Sequence, residues 1–350
     1  MYQPSLTHRF VAEFVSSSGA VVTAPLDMDW VPAIECAHFS QLRLHGGRPT
    51  ACAAQSRVLP RWDSTAGAPY VESLSIGVGE GASETVDIPA RYFSDAAGRA
   101  ALVLARQGRL PDGETHRYRI CAYPSEGLAA CTTHDGGVFS DDDVESDMAC
   151  PPVIPIRTRL AQAPRHGPEH TMDMPVLIDS RVLEETRSEA MAAGDLETGG
   201  IMLGRLVRDS DDGDFCLEVT AQIAAREAIQ DTASLRFTPN TWRAVDAAVR
   251  LRKRDEKPVG WWHSHPSALW PCRKCPAERR AGCASNKAVF STFDVGFHRT
   301  AFQGAHNVAL LLSFLSEPSP QFDLFGWRQG TVAQRGFHQL KENDHDQTFR

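Results

Sequence analysis

The segment Gly260-Trp-Trp-His-Ser-His-Pro266 carries the clearest structural signal in this sequence of 350 residues. It is typical of a buried strand that stops at its proline, because Pro266 cannot continue the hydrogen bonding of a sheet. Side chains two residues apart in a strand point to the same face. His263 and His265 therefore present two imidazoles side by side at the strand end. Neutral imidazole is a preferred zinc ligand, so the segment by itself is equally consistent with a metal site and with two structural histidines.

A second polar motif, Ser291-Thr-Phe-Asp294, follows downstream. One interpretation is a helix start in which Ser291 is the N-cap and Asp294 reaches back to it, although a capping box prefers Glu or Gln at that position. The other interpretation makes Asp294 an oxygen ligand of the metal, with the Ser291 hydroxyl beside it as a hydrogen-bond donor. The motif by itself does not decide between the two.

Upstream, Glu197 precedes the glycines of Leu196-Glu-Thr-Gly-Gly-Ile-Met-Leu-Gly204, which read as a turn opening a buried strand. A lone glutamate near a turn is usually a surface carboxylate. Together with two histidines and an aspartate, however, it completes a hydrolytic set. Three protein ligands leave a fourth zinc position for water, and a nearby carboxylate can move that water's proton. A hydroxyl such as that of Ser291 can then hydrogen-bond the oxyanion.

Glu-x-Gly-Gly, His-Ser-His-Pro and Ser-x-x-Asp, in this order, resemble the JAMM (JAB/MPN-type) zinc metalloproteases, and in particular a prokaryotic deubiquitinase-like member. The resemblance covers about residues 172–335. It implies a mixed β-sheet flanked by helices, with His263, His265 and Asp294 on zinc and with Glu197 and Ser291 as catalytic groups.

The resemblance also implies a function, namely hydrolysis of amide or isopeptide bonds at the C-terminus of a ubiquitin-like protein. Two alternatives stay open. One is a peptidase that processes a ubiquitin-like or sulfur-carrier precursor. The other is a non-catalytic scaffold of the MPN type. Ubiquitin-like conjugates are the expected partners, with conjugation enzymes encoded nearby.

The sequence departs from the family pattern at an insertion, residues 267–288, between the second and third ligands. Cys272 and Cys275 have Cys-x-x-Cys spacing and Cys283 adds a third thiol, which suits a second, structural zinc. A redox pair or plain loop thiols are the competing interpretations. The candidates for a fourth ligand are Cys216, Cys150 and a histidine such as His298.

Patterning divides the chain into an N-terminal α+β domain without a motif (1–128), an acidic and proline-rich linker (129–171), an α/β domain (172–340) and a polar tail (341–350). In the α/β domain, Ser180 is expected to cap a helix that ends at Gly194. The apolar run from Val308 to Phe314 predicts a strand buried on both faces.

Bulk composition is that of an ordinary globular protein, with 42% hydrophobic and 23% charged residues. The formal charge of -8 argues against a nucleic-acid-binding face. No signal peptide and no apolar stretch of roughly 18 residues is visible, so we expect a cytoplasmic protein without a membrane span. The nine cysteines are then expected to be thiols or metal ligands rather than disulfides.

Overall fold

The chain divides into two compact units, Met1–Cys150 with Gln329–Thr331, and Pro151–Arg328 with Val332–Arg350. A computed structural model describes residues 5–16, 19–46, 56–63, 70–78, 85–111, 116–125, 151–231, 234–266, 290–314 and 320–341. Within these ranges, no helix combines the length and apolar character needed to cross a membrane.

The first unit is an α+β structure built on two small sheets. One sheet has the strand order β1-β4-β5-β6 and the other the order β3-β2-β7. Its core contains buried aromatic residues, including Phe10, Trp30 and Phe93. The smaller N-terminal α+β portion is thereby confirmed. Its elements are β1 (Ser5–Leu6), β2 (His8–Val15), β3 (Val21–Pro25), α1 (Val31–Leu44), β4 (Ser56–Trp62), β5 (Val71–Val78), β6 (Thr85–Pro89), a 3₁₀ turn (Ala90–Phe93), α2 (Ser94–Arg106) and β7 (Arg117–Pro124).

The second unit is built on a mixed sheet whose strand order is β18-β17-β16-β15-β11-β12-β10-β19-β9, with β8 added beside β11. The pairs β15–β16 and β10–β12 are parallel, whereas β11–β12 and β11–β15 are antiparallel. The predicted mixed sheet flanked by helices is confirmed. Its elements are β8 (Val153–Ile154), α3 (Ile156–Gln162), β9 (Arg165–His166), β10 (Val176–Asp179), α4 (Ser180–Ala193), β11 (Gly199–Asp209), β12 (Phe215–Ala224), β13 (Ile229–Asp231), β14 (Ser234–Arg236), α5 (Pro239–Arg252), β15 (Lys257–His265), α6 (Thr292–Ala301), β16 (Val308–Ser313), β17 (Gln321–Arg328), β18 (Thr331–Arg335) and β19 (Phe337–Leu340).

The interior strands follow from the apolar pattern. All residues of β16 are buried, as the continuous apolar run predicts. Helix α4 ends at Gly194, which has a φ of 63°. Its N-cap is Asp179 rather than Ser180, because the Asp179 carboxylate accepts a hydrogen bond of 2.9 Å from the backbone N–H of Arg181. Both residue types are good N-caps, so sequence preference alone could not separate neighbouring positions.

The structure differs from the predicted linker over residues 151–171. Two buried apolar side chains, Ile154 and Ile156, pack in a core cluster with Leu177 and Val207. Arg159 of α3 donates a 2.7 Å hydrogen bond to the fully buried carboxylate of Glu218. The prolines and charged residues of this segment predict a solvated linker. The two buried isoleucines instead hold the segment against the sheet. Residues 129–150 of the predicted linker lie outside the described residues.

We expect Gly260→Ala to destabilise the second unit by about 1–3 kcal/mol or more, the range for forcing atoms into a packed core. A Cβ at Gly260 would lie 2.1 Å from the carbonyl oxygen of Val308 and 2.9 Å from the methyl carbon of Met202. Gly296→Ala is the matched control, because no atom of the described residues lies within 4 Å of its Cβ position in α6. That change should stabilise the helix by about 0.5–1 kcal/mol. Urea unfolding followed by tryptophan fluorescence measures both, and equal midpoints would contradict the packing argument.

Candidate metal centre

The two histidines at the end of β15 face each other at hydrogen-bonding distance. Their Nε2 atoms are 3.2 Å apart, and His263 and His265 are 2% and 3% exposed. Strand β15 is hydrogen-bonded on one side to β11 and on the other to β16. An interior strand has little freedom, so the backbone that carries both imidazoles is fixed before any ion arrives.

Helix α6 brings Asp294 to the same point. The helix starts with a capping box, in which the backbone N–H of Ser291 donates to Asp294 Oδ2 at 2.7 Å and the N–H of Asp294 donates to Ser291 Oγ at 3.2 Å. The other carboxylate oxygen, Oδ1, lies 3.5 Å from His263 Nε2. The capping and ligand interpretations are therefore compatible, because each oxygen of one carboxylate serves a different purpose.

Hydrogen bonds hold the Asp294 carboxylate in its charged form. Burial by itself would raise the pKa of Asp294. The interaction with His263 and the bonds from Ser291 outweigh burial and lower that pKa below its ordinary value. An ionised carboxylate is the form that binds a cation.

Glu197 differs from Asp294, because its surroundings raise its pKa. It lies just before β11 and is 5% exposed. Its backbone N–H donates to the carbonyl of Asp231 at 2.9 Å, and its Oε1 lies 3.9 Å from His265 Nε2. Burial raises the pKa of Glu197 to about 7. A carboxyl group with such a pKa can both accept and release a proton near neutral pH.

Ser264, between the two histidines, connects β15 to the loop that carries Glu197. Its Oγ accepts from the backbone N–H of Thr198 at 3.2 Å, and its own N–H donates to the carbonyl of Thr198 at 2.8 Å. Gln230 of β13 adds a 2.9 Å bond to Thr198 Oγ1. Sequence reasoning missed these residues, because only the pairing of β15 with β11 shows that Thr198 and Ser264 meet.

The donor set of this site fits zinc. One ligand atom each from His263, His265 and Asp294 lies within 4.8 Å of the others. Burial lowers the pKa of His265 to about 3, so its imidazole is neutral and has a lone pair to offer. Two imidazole nitrogens and one carboxylate oxygen leave one position of a tetrahedral zinc open, as in hydrolytic zinc sites.

An open cleft of about 740 Å³ leads to these groups. The wall contributed by β14 includes Leu235 and Arg236, and the wall contributed by α6 includes Phe293 and Phe297. Glu197 and Ser291 also line the cleft together with the two histidines and Asp294. All five residues predicted for the site thus lie in one cavity with mostly apolar walls.

The predicted cysteine site, with Cys272, Cys275 and Cys283, lies outside the described residues, as does Cys150. Two of the proposed fourth ligands, Cys216 and His298, are described. Cys216 is fully buried in an apolar cluster, and burial raises the pKa of its thiol well above the ordinary value. His298 is also fully buried and accepts a hydrogen bond from Trp261.

Part of the second unit is similar to a known protein family. Residues 179–270 match the family of prokaryotic homologs of the JAB domain, which confirms the resemblance seen in the motifs of this region. The matched range includes Glu197, His263 and His265 and ends before Ser291 and Asp294.

A solved structure is also similar to this chain. It is the solution structure of protein DSY2949 from Desulfitobacterium hafniense, which is 22% identical and covers 49% of this chain and 96% of its own, with a TM-score of 0.33. That score is too low to establish a shared fold. No curated protein matches the sequence.

We expect Ser264→Ala to lower the free energy of unfolding by about 1–3 kcal/mol, because it leaves the buried N–H of Thr198 without an acceptor. Ser313→Ala is the matched control. Ser313 is also 1% exposed, lies opposite His265 on β16, and its Oγ has no hydrogen-bond partner within the described part of the chain. Removing that hydroxyl should be neutral or stabilising. Chemical denaturation of both variants tests the assignment, and similar losses in the two would refute it.

Proposed function

We propose that the JAB-type domain of this chain is a zinc-dependent isopeptidase that cleaves the amide bond at the C-terminus of a ubiquitin-like protein. The observation that supports this most is the convergence of three ligand atoms within 4.8 Å beside the buried carboxyl group of Glu197. The family match supports a JAMM-type peptidase or scaffold, and the intact donor set favours the peptidase.

In this proposal His263, His265 and Asp294 hold the metal. When bound, zinc would polarise the scissile carbonyl and make a water molecule acidic near neutral pH. The protein contributes a rigid cradle, since the histidines lie on an interior strand and Asp294 is fixed by its capping box.

Glu197 moves the proton. Its Oε1 lies on the His265 side of the cleft and would accept a proton from the attacking water. The same oxygen would then deliver that proton to the leaving amine, so that the amine departs uncharged. With a pKa of about 7, the carboxyl group takes up and releases a proton about equally readily near neutral pH. This is the condition for effective general acid–base catalysis.

Ser291 stabilises the oxygen of the attacked carbonyl. Its Oγ accepts the N–H of Asp294, which holds the oxygen in place, and its hydroxyl hydrogen would turn from the Asp294 carboxylate to the substrate oxygen. Ser291 lines the cleft on the α6 side together with Asp294. A hydroxyl held in this way needs little rearrangement when negative charge develops on the substrate.

The cleft suits an extended peptide segment with apolar side chains. Phe293 is 88% exposed on the α6 wall and Leu235 lies on the β14 wall. A ubiquitin-like tail attached to a lysine is the substrate that this proposal assigns. The ubiquitin-like partner, the conjugation enzymes encoded nearby and a cytoplasmic location stay predictions from the sequence.

We expect Glu197→Gln to reduce cleavage by about 10²–10⁴-fold, the usual contribution of a general acid–base, while zinc stays bound. The substrate for this assay is the ubiquitin-like protein encoded nearest to this chain, joined through its C-terminus to the lysine side chain of a reporter peptide. Glu184→Gln is the matched control, because Glu184 is exposed on α4 and pairs with Arg187. Zinc content is measured for each protein in parallel.

Wild-type rates for Glu197→Gln would disprove the mechanism and favour the scaffold alternative. A linear fusion of the same ubiquitin-like protein, cut at a peptide bond, is assayed beside the lysine-linked adduct. Cleavage of the linear fusion alone would assign precursor processing instead of deconjugation.

Zinc content also tests the two predicted metal sites separately. We expect two zinc ions per wild-type chain and one in the double variant Cys272→Ser/Cys275→Ser. His263→Ala should likewise remove one ion, since a tetrahedral site does not survive the loss of one of only three protein ligands. Atomic absorption on dialysed protein gives the counts. One ion in both the wild type and the cysteine variant would leave the cysteines as loop thiols or a redox pair.

A further inference from the structure

One nitrogen of His263 lacks the support that a zinc ligand normally has. The Nε2 atom faces the site, so with a metal ion on Nε2 the ring proton would be on Nδ1. Within the described residues, Nδ1 is buried and has no hydrogen-bond partner. Zinc-ligating histidines usually donate this second N–H to a carbonyl or carboxylate, and that bond sets the ring orientation. Among the described residues, the support for this ring comes from a contact other than a hydrogen bond to Nδ1.

The indole of Trp261 occupies the flank of the His263 ring. The two ring centroids are 4.8 Å apart and the planes are inclined by 14°, which is a stacked pair. Trp261 and His263 are two residues apart in β15, so their side chains share a face of the strand. A stacked neighbour restricts rotation of the imidazole about its own axis, but only if the neighbour is itself immobile.

A hydrogen bond immobilises Trp261. Its Nε1–H donates to Nδ1 of His298 at 3.2 Å, and both residues are almost completely buried, at 3% and 0% exposure. Phe297 packs edge-on against the indole at 4.8 Å. The His298 ring is flanked in turn by Phe302 and Trp327. Burial lowers the pKa of His298 to about 3, so the ring remains a neutral acceptor.

The same bond joins two elements that carry metal ligands. Trp261 precedes His263 on β15, and His298 lies one helical turn after Asp294 on α6. The Trp261–His298 hydrogen bond therefore fixes the position of α6 against the strand. Through that contact it also sets the separation of the first and third ligands, Nε2 of His263 and Oδ1 of Asp294, which is 3.5 Å.

We propose that Trp261 and His298 form a positioning pair for the metal centre, in which the hydrogen-bonded indole orients the ring of His263, whose Nδ1 has no partner among the described residues, and holds α6 at the ligand distance. This inference rests on the proposed zinc site. Neither residue touches the metal or the substrate. The pair acts through His263 and Asp294, so its loss should weaken metal binding and change the coordination geometry.

The test compares zinc affinity in four full-length variants, measured by competition with a chromophoric chelator. The variants are Trp261→Phe, His298→Leu, the double variant Trp261→Phe/His298→Leu and the control Trp262→Phe. All carry Cys272→Ser/Cys275→Ser, so that the predicted thiolate site does not compete for metal. Trp262 is the matched control, because it is buried in the same strand and its indole N–H is also hydrogen-bonded, to Gln222.

We expect Trp261→Phe and His298→Leu each to weaken zinc binding by about 10–100-fold, the usual effect of losing an outer partner of a metal ligand. The double variant should be no weaker than the weaker single, because both changes remove one interaction. Trp262→Phe should bind zinc like its parent. The visible spectrum of bound Co²⁺ should change in the first three and be unchanged in the control, since it reports ligand geometry rather than stability.

The inference is overturned if Trp261→Phe and Trp262→Phe bind zinc with equal affinity. It is also overturned if the double variant loses as much zinc affinity as the two single variants combined. If His298→Leu does not fold, Trp261→Phe decides alone, since it keeps an aromatic ring and removes only the donor and part of the stack. If the parent protein binds no zinc, the proposed zinc site itself is wrong. If the parent binds zinc and Trp261→Phe binds it equally well, only the positioning pair is wrong.

Discussion

The pairing of β15 between β11 and β16 is the constraint on which the rest of the second unit depends. Hydrogen bonds on both edges fix the strand, and the alternation of its side chains then places Trp261, His263 and His265 on one face. Close pairing at Gly260 leaves no room for a Cβ atom. Metal ligands on such a strand need no ordering when an ion binds, so less conformational entropy is lost on binding.

The site concentrates polar groups where water is scarce, which costs stability unless each group is paired. The polar groups of the site are paired because a single side chain often serves two partners. One oxygen of Asp294 caps α6 and the other faces His263, while Ser264 satisfies the backbone of Thr198 beside Glu197. The Nδ1 atom of His263 is one of the buried polar atoms that have no hydrogen-bond partner within the described residues, and the aromatic stack of Trp261 lies beside it. A bound cation would offset part of this cost.

The two carboxyl groups of the site show how surroundings separate chemical roles. Asp294 receives hydrogen bonds from Ser291 and lies beside His263, so its charged form is favoured. Glu197 is buried and lies near the carboxylates of Asp294 and Asp231, which raise its pKa further. One carboxyl is therefore suited to hold a cation and the other to carry a proton. Such a division between neighbouring acids is typical of catalytic sites.

Local patterns determined much of this protein by themselves. The spacing of His263 and His265 specified two candidate ligands on one face, because a strand alternates with a period of two, and the apolar run of β16 specified a buried strand. Tertiary structure decided what depends on distant partners. It showed that Asp294 serves both as a cap and as a candidate ligand, that Ile154 and Ile156 bind a proline-rich segment to the core, and that Trp261 meets His298. These contacts join residues far apart in the sequence or assign two roles to one side chain, and no local spacing rule encodes either.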